Sequence, residues 1–338
     1  MKNYAIVVGI DHYKENELEG AVGDATDFAD WLVESNQIPK DDPAKKEQLK
    51  RILSSDFPDA DPPTAQEINN AVKDIFYHIK NSGEQGGKLY FYFAGHGLGL
   101  TFLNTALCMR PWTSFLNGAC ISSLKYLEKL AQLNMVKEII FFIDCCRNAD
   151  LLATAQEPLW NQPPMVGDAT KFVVCSSTKF GDQSQEISID SSKKRGAFTT
   201  FLLNALRGDA SNGDGQISVS GLVKHLKDHF QSFTTTLPYV QVAEVYSSND
   251  DFLITTIGNT APTHNYEITF RRNSSRITLF DKDLGEKKTG AVTKGDKWQV
   301  NLPVGMNSIV DNDRPVESSD REKVLKNFSL KTITHEQF

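Results

Sequence analysis

Hydrophobic and polar positions alternate in blocks along the first three quarters of the chain. Tyr4–Ile10, Leu89–Phe93, Ile139–Ile143 and Lys171–Cys175 are short, mostly apolar runs rich in β-branched and aromatic residues. They are far too short to span a membrane and read as strands buried on both faces. Between them the apolar positions recur at helical spacing. Ala25, Phe28, Trp31 and Leu32 predict a helix from Asp24. Ile68, Val72, Ile75, Phe76 and Ile79 form one stripe, preceded by Pro62-Pro63 and opened by Thr64 and Glu67 in capping-box spacing. Leu124, Leu127, Leu130 and Ala131 mark another helix, and Phe198–Leu206 and Val219–Phe230 two more. Strands alternating with helices over residues 1–257 predict an α/β domain with a mostly parallel sheet covered on both faces.

Weaker patterns fill in the rest. Gln48–Ser54 is expected as a short edge strand, Thr101–Met109 as a hairpin on the rim of the sheet, and Asp251–Thr256 as a last strand. Asp11–Gly20, Asn148–Asp168 and Gly181–Arg195 read as polar loops, the second carrying Pro158, Pro163 and Pro164. After Gly258 the texture changes. Tyr266, Ile268 and Phe270 alternate, as do Ile277 and Leu279, and Asp281–Gly285 and Lys294–Asp296 read as turns. The expected organisation is a first domain over 1–257, a link at Gly258–His264, and a small all-β module over 263–338.

Composition narrows the classes of function. The 338 residues carry a net charge of −7 without a Lys/Arg stripe, which argues against nucleic acid or an anionic membrane as partner. No apolar run approaches the length of a membrane span, and Met1-Lys2-Asn3 leads straight into a strand, so a cytoplasmic protein without a signal peptide is expected. The five cysteines, two of them adjacent, have no metal-ligand spacing and suit a reducing compartment. No metal or cofactor is expected. Asp209–Ser218 looks like a calcium loop, but registered on Asp214-Gly215 it has Ala210 at the first ligand position and Gly221 where the bidentate Glu belongs.

Chemistry concentrates where two of the buried strands end. One runs into Ala94-Gly95-His96-Gly97 and the other into Asp144-Cys145-Cys146-Arg147, 50 residues from His96 to Cys146. In an open α/β sheet, ligands bind at the carboxyl edge of the strands, so an imidazole and a thiol are delivered to one functional rim. A free thiol is mostly protonated at neutral pH, and a neighbouring imidazole takes its proton and later protonates a leaving amine. Gly97, without a Cβ, brings its N–H close to a substrate carbonyl, and the N–H of Cys146 is a candidate second oxyanion donor. Successive strand residues face opposite ways, so one of Cys145 and Cys146 faces the site and the other the core; the pattern does not choose between them.

Six pieces of the chain, in order, resemble the caspase-like clan of cysteine peptidases, especially its bacterial and metacaspase branch. They are Val7-Val8-Gly9-Ile10-Asp11, Gly23-Asp24-Ala25, Phe91–Gly97, Asp144–Arg147, Val174–Thr178 and Arg195–Thr199. A histidine about fifty residues ahead of the cysteine is also the caspase spacing. The resemblance implies the caspase α/β/α sandwich with a six-stranded sheet, and a Cys-His endopeptidase acting on protein or peptide substrates. It implies Cys146 as nucleophile, since in this family the nucleophile stands two positions after the Asp and just before the Arg; Cys145 is then a packed core residue. Asp144 replaces the Gln of animal caspases, Gln185-Glu186 fall near the position of their P1-binding Arg, and Asp24 matches an Asp that lines the metacaspase P1 pocket. Two carboxylates at one wall favour Arg or Lys and repel Asp, so cleavage after a basic residue is expected. Ser176 and Ser177 are candidates for contacting the substrate backbone, set against an ordinary role as strand ends. Ala94 and Asn148 depart from the metacaspase pattern, which weakens the case for their calcium dependence here. Self-processing is expected within 148–168 or 181–195, both loop-like, with Lys171 just beyond the first and Lys193, Lys194 and Arg195 in the second, and the resemblance implies a role in bacterial cell death or defence. The rival reading is a non-catalytic caspase-fold scaffold, although such relatives usually lose the Cys or the His.

Overall fold

A computed structural model describes all residues except 151, 191–192, 213, 236, 249, 258–262, 282–284, 304–306, 316–321 and 326–333. The described residues fall into two compact units, Met1–Phe201 with Leu226–Phe252, and Leu202–His225 with Leu253–Phe338.

The first unit is built on a six-stranded sheet. Its spatial order is Glu244–Ser247, Lys171–Ser176, Val136–Asp144, Gly86–Ala94, Tyr4–Gly9 and Leu49–Leu53. All neighbours are parallel except the Glu244–Ser247 edge strand. The apolar runs are continuous because both faces are covered. On one face Ile6, Val8, Phe91, Phe93, Phe141 and Ile143 pack with the stripes of helices Ala65–Ser82 and Ser123–Leu133. On the other, Tyr90, Tyr92 and Phe142 meet Trp31 and Phe28 of helix Ala21–Glu34, with the Phe28 and Tyr92 rings stacked at 4.5 Å. The Ala65–Ser82 helix starts at the expected capping box: the Thr64 N–H donates to the Glu67 carboxylate at 2.6 Å, and the Thr64 hydroxyl accepts from the Gln66 N–H at 3.2 Å.

Three local expectations need correction. Leu253–Thr256 is a strand, but it pairs antiparallel with Gln216–Ser218 in the second unit rather than closing the main sheet. The sixth strand is Glu244–Ser247, whose half-buried Glu-Val-Tyr-Ser carries no apolar run to betray it. Gly181–Arg195 is not wholly loop, since Glu186–Asp190 and Lys193–Gly196 form a hairpin. The expected rim hairpin exists with shifted ends. Gly97–Gly99 pairs with Thr105–Cys108, which pairs with Cys120–Ser122. Residues 148–168 have little regular structure among those described, beyond Asn148–Ala149 beside Leu98–Gly99 and a bridge from Gln156 to Ile121.

In the second unit, the described part of 263–338 is all β, in a three-stranded and a four-stranded sheet. Its core is Tyr266, Ile268, Phe270, Ile277, Leu279, Val292, Trp298, Leu302, Ile309 and Phe338. Most of the expected link, 258–262, and the centre of the Asp281–Gly285 turn lie outside the described residues. The Asp209–Ser218 loop closes on itself: the Asn212 side-chain oxygen accepts from the backbone N–H groups of Asp214 and Gln216.

Candidate active site

Strand register sets the site. Gly9 pairs with Ala94, and Ala94 with Asp144, so three parallel strands end level at one rim. His96 lies two residues past Ala94 and Cys146 two residues past Asp144. Adjacent strands run about 4.8 Å apart, so the equal offsets carry both side chains into one space. They line the same cleft, of about 430 Å³ counting its open mouth, together with Leu18, Asp24, Asp144, Ser184, Gln185 and Glu186.

His96 is held on three sides. Its backbone N–H donates to the Tyr13 hydroxyl at 2.9 Å, and that hydroxyl donates to the Cys108 carbonyl at 2.9 Å. The imidazole lies against the Tyr13 ring at 4.5 Å and the Trp112 ring at 5.5 Å. Its Nε2 is 2.5 Å from the Asn16 carbonyl. A carbonyl only accepts, so Nε2 carries the proton and Nδ1 remains as acceptor. Asn16 has φ of 56°, a left-handed conformation that Asn tolerates better than most residues and that turns its carbonyl onto the ring. Burial pulls the His96 pKa below the ordinary histidine value, opposed by the Asn16 carbonyl.

The two cysteines part as strand alternation requires. Cys145 is buried in the core, and a Cβ on Gly97 would collide with its sulfur. Cys146 is half-buried. Its thiol donates to the Ser184 carbonyl at 3.7 Å and accepts from the Ser184 N–H at 3.4 Å. Burial raises the Cys146 pKa, and the Ser184 N–H works against that rise. Burial thus works against the charged form of both groups. Arg147, fully buried, fixes the turn beneath them through Thr105, the Thr178 and Phe102 carbonyls and Glu244.

The carboxylates form the inner wall. Asp24 and Asp144 are both buried, and Gly196 passes between them so closely that a Cβ there would collide with the Asp144 carboxylate. Asp24 Oδ2 accepts from the Gly196 N–H at 2.7 Å, while its Oδ1 has no hydrogen-bond partner; Arg195 Nε stands 3.7 Å away. Asp144 accepts from the Ser184 hydroxyl at 2.7 Å, the Thr199 hydroxyl at 2.7 Å and the Thr199 N–H at 3.0 Å. Burial, and then the Asp144 charge, holds the Asp24 carboxyl well above the usual range; burial also raises Asp144, against its Ser184 and Thr199 hydrogen bonds. Glu186 caps helix Ala21–Glu34 from the hairpin, accepting from the Gly20 N–H at 2.6 Å.

Of the residues singled out in the sequence, His96, Cys145, Cys146, Asp24, Asp144, Gln185 and Glu186 line the cleft, Cys145 being almost wholly buried and Cys146 half-buried. Gly97, Ser176 and Ser177 are buried outside it. The α-carbon of Gly97 lies against Cys145 and the Cys146 carbonyl, and the Ser177 hydroxyl donates to the Cys145 carbonyl at 3.1 Å. Sequence reasoning missed Tyr13, Asn16, Ser184 and Gln241. The fully buried Gln241 amide donates to the Ser184 hydroxyl at 3.2 Å and the Ser177 carbonyl at 3.3 Å. Tyr13 and Asn16 sit in a segment that carries no periodicity, and Asn16 and Ser184 act partly through backbone atoms, which leave no mark on residue type.

A six-stranded, mostly parallel sheet presenting a histidine and a cysteine at one carboxyl rim is the architecture of a caspase-type domain. Residues 2–253 match the family model for the caspase domain, and the chain belongs to that family. A curated protein from a Desulfuromonadales bacterium, named as a probable protease, is 31% identical over 226 residues, covering 62% of this chain and 26% of that protein. The chain thus spans about a quarter of the length of that relative. A solved protein from Geobacter sulfurreducens superposes with a TM-score of 0.44 at 12% identity, over 73% of this chain and 94% of the other.

Proposed function

We propose that this chain is a cysteine endopeptidase with Cys146 as nucleophile, His96 as general base and acid, and a preference for Arg or Lys at P1. The observation that carries the reading is the cleft that collects His96 and Cys146 with the carboxylates of Asp24, Asp144 and Glu186, Arg195 standing 3.7 Å from Asp24 Oδ1.

With burial disfavouring the charge on both groups, proton transfer accompanies attack. His96 Nδ1 takes the Cys146 thiol proton as sulfur adds to the scissile carbonyl, while the Asn16 carbonyl steadies the imidazolium through Nε2–H. The oxyanion falls to the Cys146 N–H, with the Gly97 N–H behind the cleft wall as the second candidate donor. His96 returns the proton to the leaving amine, and water releases the acyl group from sulfur. In the P1 pocket, Asp24 Oδ1 makes no hydrogen bond, and the Arg195 Nε beside it stands at 3.7 Å. An incoming guanidinium or ammonium would supply the hydrogen bond that Arg195 does not. An Asp side chain at P1 would add a third carboxyl group to the Asp24–Asp144 wall, whose charge burial already disfavours. Residues 263–338 are the β-rich part of the second compact unit, which also holds Leu202–His225, and the protein works in the cytoplasm.

Digestion of proteome-derived peptides, read by mass spectrometry, tests the reading. Cleavage after Arg and Lys that vanishes in Cys146→Ala is expected. Cleavage concentrated after Asp or Leu would overturn the pocket assignment, and an inactive wild-type chain beside an active relative would return the scaffold reading.

A further inference from the structure

Behind His96 lies a second pair of thiols that the proposed mechanism does not use. Cys108 and Cys120 stand opposite each other on neighbouring antiparallel strands, fully buried, with their sulfurs 3.3 Å apart. The Met109 N–H bonds to the Ala119 carbonyl, while the Cys108 N–H turns the other way, to the His96 carbonyl at 3.0 Å. Cys108 and Cys120 are therefore a non-hydrogen-bonded pair, the register in which facing Cα atoms come to about 4.5 Å. That separation is inside the range a disulfide bridges, about 4.4–6.8 Å. Sulfurs already in contact need only about 1.3 Å of approach to bond at the ordinary S–S length.

The pair is joined to the imidazole by two short links. The Cys108 N–H holds the His96 carbonyl, and the Cys108 carbonyl receives the Tyr13 hydroxyl, which in turn receives the His96 N–H. A shift of Cys108 is thus passed to both sides of the His96 backbone.

We propose that Cys108 and Cys120 are an oxidative modification site, closed to a cross-strand disulfide by a hydroperoxide, and that closing it displaces His96 and slows turnover. One thiolate attacks the peroxide oxygen, giving a sulfenic acid and water. The second thiol then attacks that sulfur, forming the S–S bond and expelling the sulfenic oxygen as a second water. Two thiols and one hydrogen peroxide give one disulfide and two waters; the sulfurs are oxidised and the peroxide reduced. Burial holds the Cys108 thiol well above its ordinary value, so the pair reacts more slowly than an exposed sensor thiol. The effect on turnover rests on the Cys146–His96 reading, whereas the disulfide itself does not.

The test uses the full chain. Cys146→Ala protein is exposed to hydrogen peroxide, alkylated and digested with trypsin. Arg110 precedes Pro111 and resists cleavage, so Cys108 and Cys120 share the peptide 89–125. The expected peptide is lighter by two hydrogens, takes no alkylating agent, and regains both sites after dithiothreitol. Two alkylated thiols after prolonged exposure, sulfonic acids, or a link from either cysteine to Cys145 would overturn the site. In parallel, wild-type protein is oxidised with Cys146 shielded by a reversible arginyl peptide aldehyde, then freed of it. kcat is expected to fall on the order of tenfold, as slight misplacement of a catalytic group costs, and to recover with dithiothreitol. Cys120→Ala and Cys120→Ser should not respond. An unchanged kcat with the disulfide mapped would overturn the coupling to His96. Failure of the aldehyde to shield Cys146 would count against the proposed function and leave the peptide map decisive for the disulfide.

Discussion

Asp24→Asn isolates the charge of the proposed P1 pocket from its shape. Asn keeps the size of Asp and an oxygen that accepts the Gly196 N–H, now 2.7 Å from Oδ2. What is lost is one buried negative charge whose other oxygen has no hydrogen-bond partner. A hydrogen bond to a charged group contributes about 1.5–3 kcal/mol. At about 1.4 kcal/mol per decade, kcat/KM for a P1-Arg peptide should fall roughly ten- to a hundredfold. A P1-Leu peptide of otherwise identical sequence never meets that charge and should change less than about threefold, within the ordinary error of such estimates. Stability moves the other way. Burial raises the Asp24 carboxyl well above its unfolded value, so the folded state binds this proton more tightly than the unfolded chain. The corresponding stability is present at low pH and is lost as pH rises through the raised, folded value. Asn removes that loss, so above that value the variant should melt no lower than wild type, and the gap should close on acidification. The assay is kcat/KM for both peptides beside Tm against pH. Equal losses for P1-Arg and P1-Leu, or a lower Tm at neutral and alkaline pH, would refute the reasoning.

Other consequences follow from the same geometry. Burial raises both pocket carboxyls from their ordinary values, so the ratio of kcat/KM for P1-Arg over P1-Leu should fall as pH drops through their titration; a ratio that stays flat across the whole pH range in which the chain is folded and active would place the basic preference elsewhere. Tyr13→Phe keeps the ring against His96 but removes the hydroxyl that bridges the His96 N–H and the Cys108 carbonyl. It should lower stability by about 1–3 kcal/mol in urea titrations and reduce kcat more than it raises KM. Arg147→Met leaves Glu244 without its arginine partner in the edge strand and strips the Thr178 and Phe102 carbonyls of a donor. A loss of about 1–3 kcal/mol is expected, as for leaving buried acceptors without their donor, and an unchanged denaturation midpoint would show that Arg147 does not hold the turn.

The main sheet was readable because its strands are buried on both faces, so Ile139–Ile143 and Leu89–Phe93 are continuous apolar runs without helical spacing. Helix Ala65–Ser82 was readable for the opposite reason, since one stripe and one capping box agree. Glu244–Ser247 was not, because an edge strand with half-buried side chains needs no apolar run. The 186–196 hairpin was hidden for a related reason: Ile187 and Ile189 alternate with polar residues within a segment dominated by Ser, Gln, Asp and Lys. At the cleft, the residues whose type declares their chemistry (His96, Cys146, Asp24, Asp144) could be named in advance. The parts that work through backbone atoms could not. The Asn16 carbonyl on Nε2 and the Ser184 N–H on sulfur depend on where the chain passes rather than on which side chain it bears.

The central claim is that Cys146, and not its neighbour, is the nucleophile of a site that takes a basic P1 residue. Covalent labelling by an arginyl peptide chloromethyl ketone, read by intact mass and peptide mapping, measures that directly. One adduct on Cys146, abolished by Cys146→Ala, retained in Cys145→Ala and slowed by Asp24→Asn, is the predicted result. An adduct on Cys145, or no adduct on any cysteine while the folded chain remains intact, would contradict it.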